Sequence, residues 1–131
     1  MRFDIRLKVS NLNDSLKFYI NELQLFQFGK DLGMGNIIIN YNYNNEYGLL
    51  LQESSIISKD IAPDALFSLE VKDCYYEYQR ISKVSFTGNY GLFKSQNGLD
   101  FIEYPLGKVF LLFDPDYNYF ELVEWNQNLF L

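Results

Sequence analysis

The stretch Gly107-Lys-Val-Phe-Leu-Leu-Phe-Asp114-Pro-Asp-Tyr-Asn118-Tyr-Phe-Glu121-Leu-Val-Glu124 decides how this chain is read. An apolar strand runs into an Asp-Pro-Asp turn, and a second strand leaves the turn with Glu121 set between Phe120 and Leu122. A carboxylate among hydrophobic strand residues is costly unless something pairs with it. Glu121 is therefore the first candidate for a functional group.

Working outward, the second half reads as a strand at Leu66 to Val71, a helix over Cys74 to Ser82 with Cys74, Tyr78 and Ile81 on one stripe, and strands at Val84 to Phe86, Phe101 to Tyr104, Lys108 to Phe113 and Tyr119 to Trp125. The first half has the same order. Phe3, Ile5, Leu7 and Val9 alternate with Arg2, Asp4, Arg6 and Lys8, which predicts a strand with the apolar set against the core. Asn11 with Asp14 three residues on predicts a helix start. Leu12, Leu16, Tyr19, Ile20 and Leu23 then carry helical spacing over roughly three turns. Phe26 to Phe28 begins another strand, Gly29 to Gly35 reads as a turn, and Ile37 to Tyr43 and Tyr47 to Gln52 form a hairpin through Asn42, Asn44 and Asn45.

The halves echo one another residue by residue. Leu7-x-Val9-x-Asn11 matches Leu69-x-Val71-x-Asp73, and Leu49-Leu-Leu-Gln-Glu53 matches Phe120-Glu-Leu-Val-Glu124. A repeat of this kind predicts two like βαβββ modules, residues 1–53 and 65–131, joined by a linker at 54–64 and folding together as one domain. The class is α+β.

Composition narrows the function. At 131 residues and 48% hydrophobic, the chain is long enough for a real core. A net charge of −6 lacks the basic face that phosphate backbones require, so nucleic acid is excluded as a partner. The N-terminus has no apolar segment of signal-peptide type, and no apolar run approaches the roughly 20 residues that span a bilayer. Cys74, the single cysteine, cannot form an internal disulfide and reads as core filler. A cytoplasmic protein without membrane partners is expected. Asp114-x-Asp116-x-Asn118 imitates the start of a calcium loop, but Tyr119 and Trp125 stand where such a loop needs Gly and Glu. That segment reads as a turn.

Three segments resemble the vicinal oxygen chelate superfamily of glyoxalase I, bleomycin- and fosfomycin-resistance proteins and extradiol dioxygenases. Leu7-Lys-Val-Ser-Asn11-Leu-Asn-Asp-Ser15-Leu-Lys-Phe18-Tyr19 resembles its opening and Leu69-Glu-Val-Lys-Asp73 the start of its second module. Pro105-Leu-Gly107 through Glu121-Leu122 resembles its closing strands, with Tyr117 where a Gly is usual. The resemblance implies two βαβββ modules forming a cupped mixed sheet. It places the family's metal-ligand positions at Asp4, Leu50, Leu66 and Glu121. Leucine has no donor atom and the chain has no histidine, so no metal or other cofactor is expected.

Strand alternation then assigns ligand-binding roles to Asp4, Arg6, Ser68, Glu70, Tyr119, Glu121 and Trp125, with Arg6 able to pair with Glu121 or Glu70. Trp125 serves equally as a dimer contact. Three functions fit. The first is metal-independent capture of a cationic or aromatic small molecule by a homodimer, as the likeness to the bleomycin-resistance branch implies. The second is a lyase or isomerase using Glu121 or Glu70 as base and Arg6 to steady an oxyanion. The third is a degenerate module that only dimerises or regulates.

Overall fold

The computed structural model describes residues 1–55, 64–98 and 100–130, so the expected linker at 54–64 lies largely outside the described residues. The chain divides into two compact units, Met1–Asp60 with Asp114–Asp116 and Ile61–Phe113 with Tyr117–Leu131.

In the first unit β1 (Phe3–Val9) leads through Asn11 into α1 (Leu12–Leu16), which continues as a π-helical segment, Lys17–Glu22. The Asn11 side chain accepts from the Asp14 N–H, as a cap must to satisfy a helix's first donors. Widening at the π turn, where Leu23 N–H donates to the Phe18 carbonyl (2.8 Å), moves the buried stripe. Ser15, Phe18, Tyr19 and Leu23 are buried, while Leu12, Leu16 and Ile20, expected on that stripe, are only partly covered. A wider turn puts residues four to five apart on one face.

β2 (Phe26–Gly33), β3 (Asn36–Tyr41) and β4 (Asn44–Glu53) complete a sheet of order β1-β4-β3-β2, with β1 and β4 parallel and the other pairs antiparallel. The sequence predicts a turn from Gly29, but β2 runs on to Gly33, its register irregular between Phe28 and Lys30 where Gly29 gives the strand no side chain to pair. The β3–β4 turn is Asn42 and Tyr43, so Asn44 and Asn45 belong to the strand. Leu7, Val9, Ile37, Ile39, Leu49 and Leu51 form this unit's apolar layer. Phe3 (61% exposed) and Ile5 (39%) do not join it; Phe3 instead stacks on Tyr47, its cross-strand partner, with centroids 5.9 Å apart.

The second unit contains β5 (Ser68–Glu70), α2 (Cys74–Ser82), β6 (Gly91–Leu92), β7 (Phe101–Tyr104), β8 (Gly107–Phe113) and β9 (Tyr119–Trp125). Its sheet has the order β5-β9-β8-β6, and β7 pairs with β8 as well. β5 lies parallel to β9, and the rest is antiparallel. α2 packs on β8 and β9 over Phe110, Leu112, Phe120 and Leu122, all buried. The helix has the expected bounds, but its buried stripe is Cys74, Glu77 and Ile81; Tyr78 is half-buried. Glu77 is accommodated by Arg80, whose guanidinium reaches Glu77 Oε2 at 2.7 Å. Two strand readings are corrected. Val84 to Phe86 is not a strand; the segment pairing with β8 is Gly91–Leu92, reached through a Thr87–Asn89 bend. β5 spans three residues rather than six, since Leu66 and Phe67 touch β9 only through single backbone bonds.

Register shows how deep the duplication goes. Leu7 pairs with Leu51 and Leu69 with Leu122, the two positions the sequence repeat equates. Each closing strand carries, at or one residue before its end, a glutamate that accepts the first free N–H of its unit's helix: Glu53 Oε2 from Leu12 N (3.0 Å) and Glu124 Oε1 from Cys74 N (3.0 Å). A carboxylate there meets both unpaired donors and the positive end of the helix dipole. Asp73 repeats the role of Asn11, accepting from Tyr76 N–H.

Candidate functional site

Each sheet has a face turned away from its helix, and the ligand-binding candidates sit there. In the first unit Asp4, Arg6 and Lys8 are exposed on β1, with Gly48, Leu50 and Gln52 beside them on β4. Asp4 is already engaged. Arg2 Nε and Nη2 grip its two oxygens at 2.9 and 2.7 Å, and Nη2 also donates to Asn40 Oδ1 at 2.8 Å. The Arg2 guanidinium passes over Gly48, where an added Cβ would fall 2.8 Å from Nη2 and against the Ile39 carbonyl. Glycine is what opens this crossing. The hydrogen bond to Asp4 holds the Arg2 guanidinium above its ordinary value. Arg6 is exposed on β1 and makes no ion pair among the described residues.

In the second unit Ser68 and Glu70 on β5, Tyr119, Glu121 and Val123 on β9, and Leu111 and Phe113 on β8 share the corresponding face. Glu121 is half-buried, and its Oε1 accepts from the Ser68 hydroxyl at 2.6 Å. Among the described residues this is the one hydrogen bond of its carboxylate, which leaves Oε2 available to a donor from outside. Ser68 stands directly opposite Glu121 across the parallel pair, so this arrangement follows from register.

Beside that pair lies a row of rings. Phe113 stacks on Tyr119 (centroids 5.2 Å, 25°) and on Tyr117 (5.7 Å, 10°), and Tyr119 meets Phe93 edge-on at 6.1 Å. All four are half-buried. Partial burial raises the Tyr119 phenol, with Tyr117 adding to it. Tyr117 has φ +63, a left-handed conformation that costs a residue with a bulky side chain about 1–3 kcal/mol.

Trp125 lies elsewhere. With Glu103, Tyr104, Gly107, Lys108, Glu124 and Asn126 it lines a depression of about 330 Å³ at the end of the β8–β9 hairpin. Cross-strand register sets Lys108 between Glu103 and Glu124 there.

The Asp-Pro-Asp segment is more than a connecting turn. Asp114 is 0% and Asp116 4% exposed, and Asp114–Asp116 belongs to the first unit. Asp114 Oδ2 accepts from the Tyr19 hydroxyl (2.9 Å), Asp114 Oδ1 from Asp116 N–H (2.9 Å), and Asp116 Oδ2 from Ser10 N–H (2.9 Å). Burial and the Asp114 carboxylate push the Tyr19 phenol well above its ordinary value. These carboxylates are satisfied inside the protein, which agrees with their failure as a calcium loop. Cys74 is equally inert: burial, with Glu124 adding to it, pushes its thiol up to about 12.

The donor set does not fit a metal centre. Of the four positions that the resemblance assigns to ligands, Leu50 and Leu66 have no donor and Asp4 is held by Arg2. Among the described residues no three Cys, Asp or Glu side chains gather closely enough to hold an ion. Among the described residues no helix is long and apolar enough to cross a membrane.

Sequence reasoning missed Glu53 and Glu124 as helix caps, although their matched places in the repeat carried the signal. It also missed Tyr19, Asp114 and Asp116, which join residues too distant in sequence for any local pattern to link.

No protein-family model and no curated protein matches the sequence. Solved structures do. A glyoxalase/bleomycin resistance protein/dioxygenase from Alicyclobacillus acidocaldarius is similar over 100% of this chain and 96% of its own, at 15% identity and a TM-score of 0.67. The genomically encoded fosfomycin resistance protein FosX from Listeria monocytogenes is similar over 100% and 98%, at 14% identity and 0.66. A bleomycin-binding protein in complex with bleomycin is similar over 96% and 99%, at 15% identity and 0.66. With a first unit of strand, helix and three strands, a second that carries four strands after its helix, and these likenesses over nearly the whole length, the chain has the glyoxalase/bleomycin resistance/dioxygenase fold of the vicinal oxygen chelate proteins.

Proposed function

We propose that this protein is a metal-independent binder of a small molecule, acting in the cytoplasm as a homodimer. The observation that carries the reading is Glu121. A half-buried carboxylate set among Tyr119, Val123, Leu111 and Phe113, with one oxygen tied to Ser68, is a polar group presented on an apolar and aromatic surface. Few polar groups on an apolar ground is the usual character of a ligand site. The carboxylate accepts a donor, and with Glu70 two residues from Ser68 it favours a cationic or amine-bearing ligand. Tyr119 supplies aromatic surface. Ser68, whose hydroxyl is bonded to Glu121, is a further ligand contact in this reading. Metal independence rests on the donor set, since leucine at two of four ligand positions leaves too few donors for a catalytic divalent ion. The bleomycin-binding protein with the same fold supports capture, rather than turnover, as the mode of action.

The test is a thermal-shift screen of the wild type and Glu121→Gln against cationic glycopeptides, flavins and aromatic amines. A ligand at about 100 times its Kd should raise the wild-type Tm by on the order of 10 °C. Glu121→Gln should weaken that ligand at least about tenfold, the scale of a lost charge-assisted hydrogen bond. Silence across the panel, or equal shifts in both proteins, sinks the reading and leaves a module that only dimerises.

A further inference from the structure

We propose that Tyr117 is a ring-stacking residue that selects planar aromatic ligands bearing an N–H or cationic edge, an inference that rests on the binding site around Glu121. The first part is the strand-to-strand turn. Asp116 N–H is bonded to Asp114 Oδ1, so the turn is fixed, and the next residue takes the left-handed conformation to enter β9. Glycine adopts that conformation without strain, and Asn or Asp at little cost. Tyrosine has neither advantage, so the turn itself gives no reason for it. Strain retained at a single non-glycine residue beside a candidate site points to a use for its side chain.

The second part is where the ring goes. Tyr117 lies nearly parallel to Phe113, 10° apart, and Phe113 stacks in turn on Tyr119. Three rings thus stand close to parallel while half-buried, with aromatic surface still exposed. The third part is the neighbouring charge. Phe113 pairs with Tyr119 and Leu111 with Glu121, so the carboxylate stands one step along the same strand face from the rings. A flat ring laid against the row brings a donor on its edge to Glu121. Purely aliphatic cations satisfy the carboxylate alone and leave the rings unused.

Proflavine, a planar diaminoacridine cation, is a suitable probe, with putrescine as a flexible aliphatic cation for comparison. Fluorescence anisotropy titrations with wild type, Tyr117→Gly, Tyr117→Phe and Glu121→Gln separate the contributions. The expected result is proflavine binding to the wild type, retained by Tyr117→Phe and weakened about tenfold by Tyr117→Gly, the scale of one stacking contact. The free Tyr117→Gly protein should melt close to the wild-type temperature, because relief of the left-handed strain offsets the lost stack on Phe113; a marked drop would make the tyrosine merely structural and overturn the inference. Putrescine should bind at least tenfold more weakly than proflavine. Equal proflavine affinity of Tyr117→Gly and wild type overturns the inference, and so does a wild type that ignores proflavine. If Glu121→Gln loses proflavine while Tyr117→Gly does not, the Glu121 site stands and the stacking role falls.

Discussion

The two modules agree where they face their helices and part where they do not. On the helix side Leu51 corresponds to Leu122 and Leu49 to Phe120, all buried, and Glu53 and Glu124 each accept from the first N–H of a helix. On the open side every counterpart has changed. Gly48 stands against Tyr119, Leu50 against Glu121, Arg6 against Ser68, and Asp4 against Leu66. Packing and capping leave little room for substitution. The open faces carry no such requirement, so their chemistry has been free to separate. One module has an arginine lying across a glycine; the other has a carboxylate and a row of rings. Conserved geometry beneath divergent surface is where a function specific to this chain is to be sought.

The comparison can be broken most forcefully in the paired cores. Leu51→Ala and Leu122→Ala each remove a side chain with 0% exposure and should each lose about 2–5 kcal/mol in urea unfolding. A large cost at one and almost none at the other would show that the two layers are not equivalently packed. The caps come next. Glu53→Gln and Glu124→Gln should each lose about 1 kcal/mol, and the losses should agree, because each replaces a carboxylate by a neutral acceptor at the same helix position. A cap that matters in only one module would limit the likeness to geometry. The smallest effect belongs to the open face of the first unit. Arg2→Ala breaks a solvent-reached pair and should cost less than about 1 kcal/mol by the same unfolding measurement. A larger loss would mean that the guanidinium over Gly48 supports the sheet rather than the surface.

Much of the architecture was legible because it repeats. Period-two alternation marked β1 and β9, Asn11 and Asp73 marked the helix starts, and two matched strings placed the closing strands in register. What escaped was tertiary. Phe3 and Ile5 keep the alternation of a buried strand, yet pairing geometry leaves them outside the apolar layer. The π turn after Leu16 breaks the 3.6-residue spacing on which the stripe was predicted, and nothing in Lys17 to Glu22 announces it. The site was half legible. Alternation put Asp4, Arg6, Ser68, Glu70 and Glu121 on open faces, where they are. Which of them were already engaged depended on Arg2, an N-terminal residue whose reach over Gly48 no local pattern reveals.

The Asp114–Asp116 segment has a consequence for how the chain is made. Ser10 is bonded to a carboxylate 106 residues downstream, and Tyr19 to one 95 residues downstream. During vectorial synthesis the N-terminal module therefore emerges from the ribosome long before the groups that satisfy it. The Tyr19 hydroxyl meets its native acceptor only once residue 114 has been made, and burying it earlier would cost about 1–3 kcal/mol. Contacts this distant are closed late and slowly. The first unit is thus complete only once residue 116 has been made, almost as late as the second, whose β9 ends at Trp125.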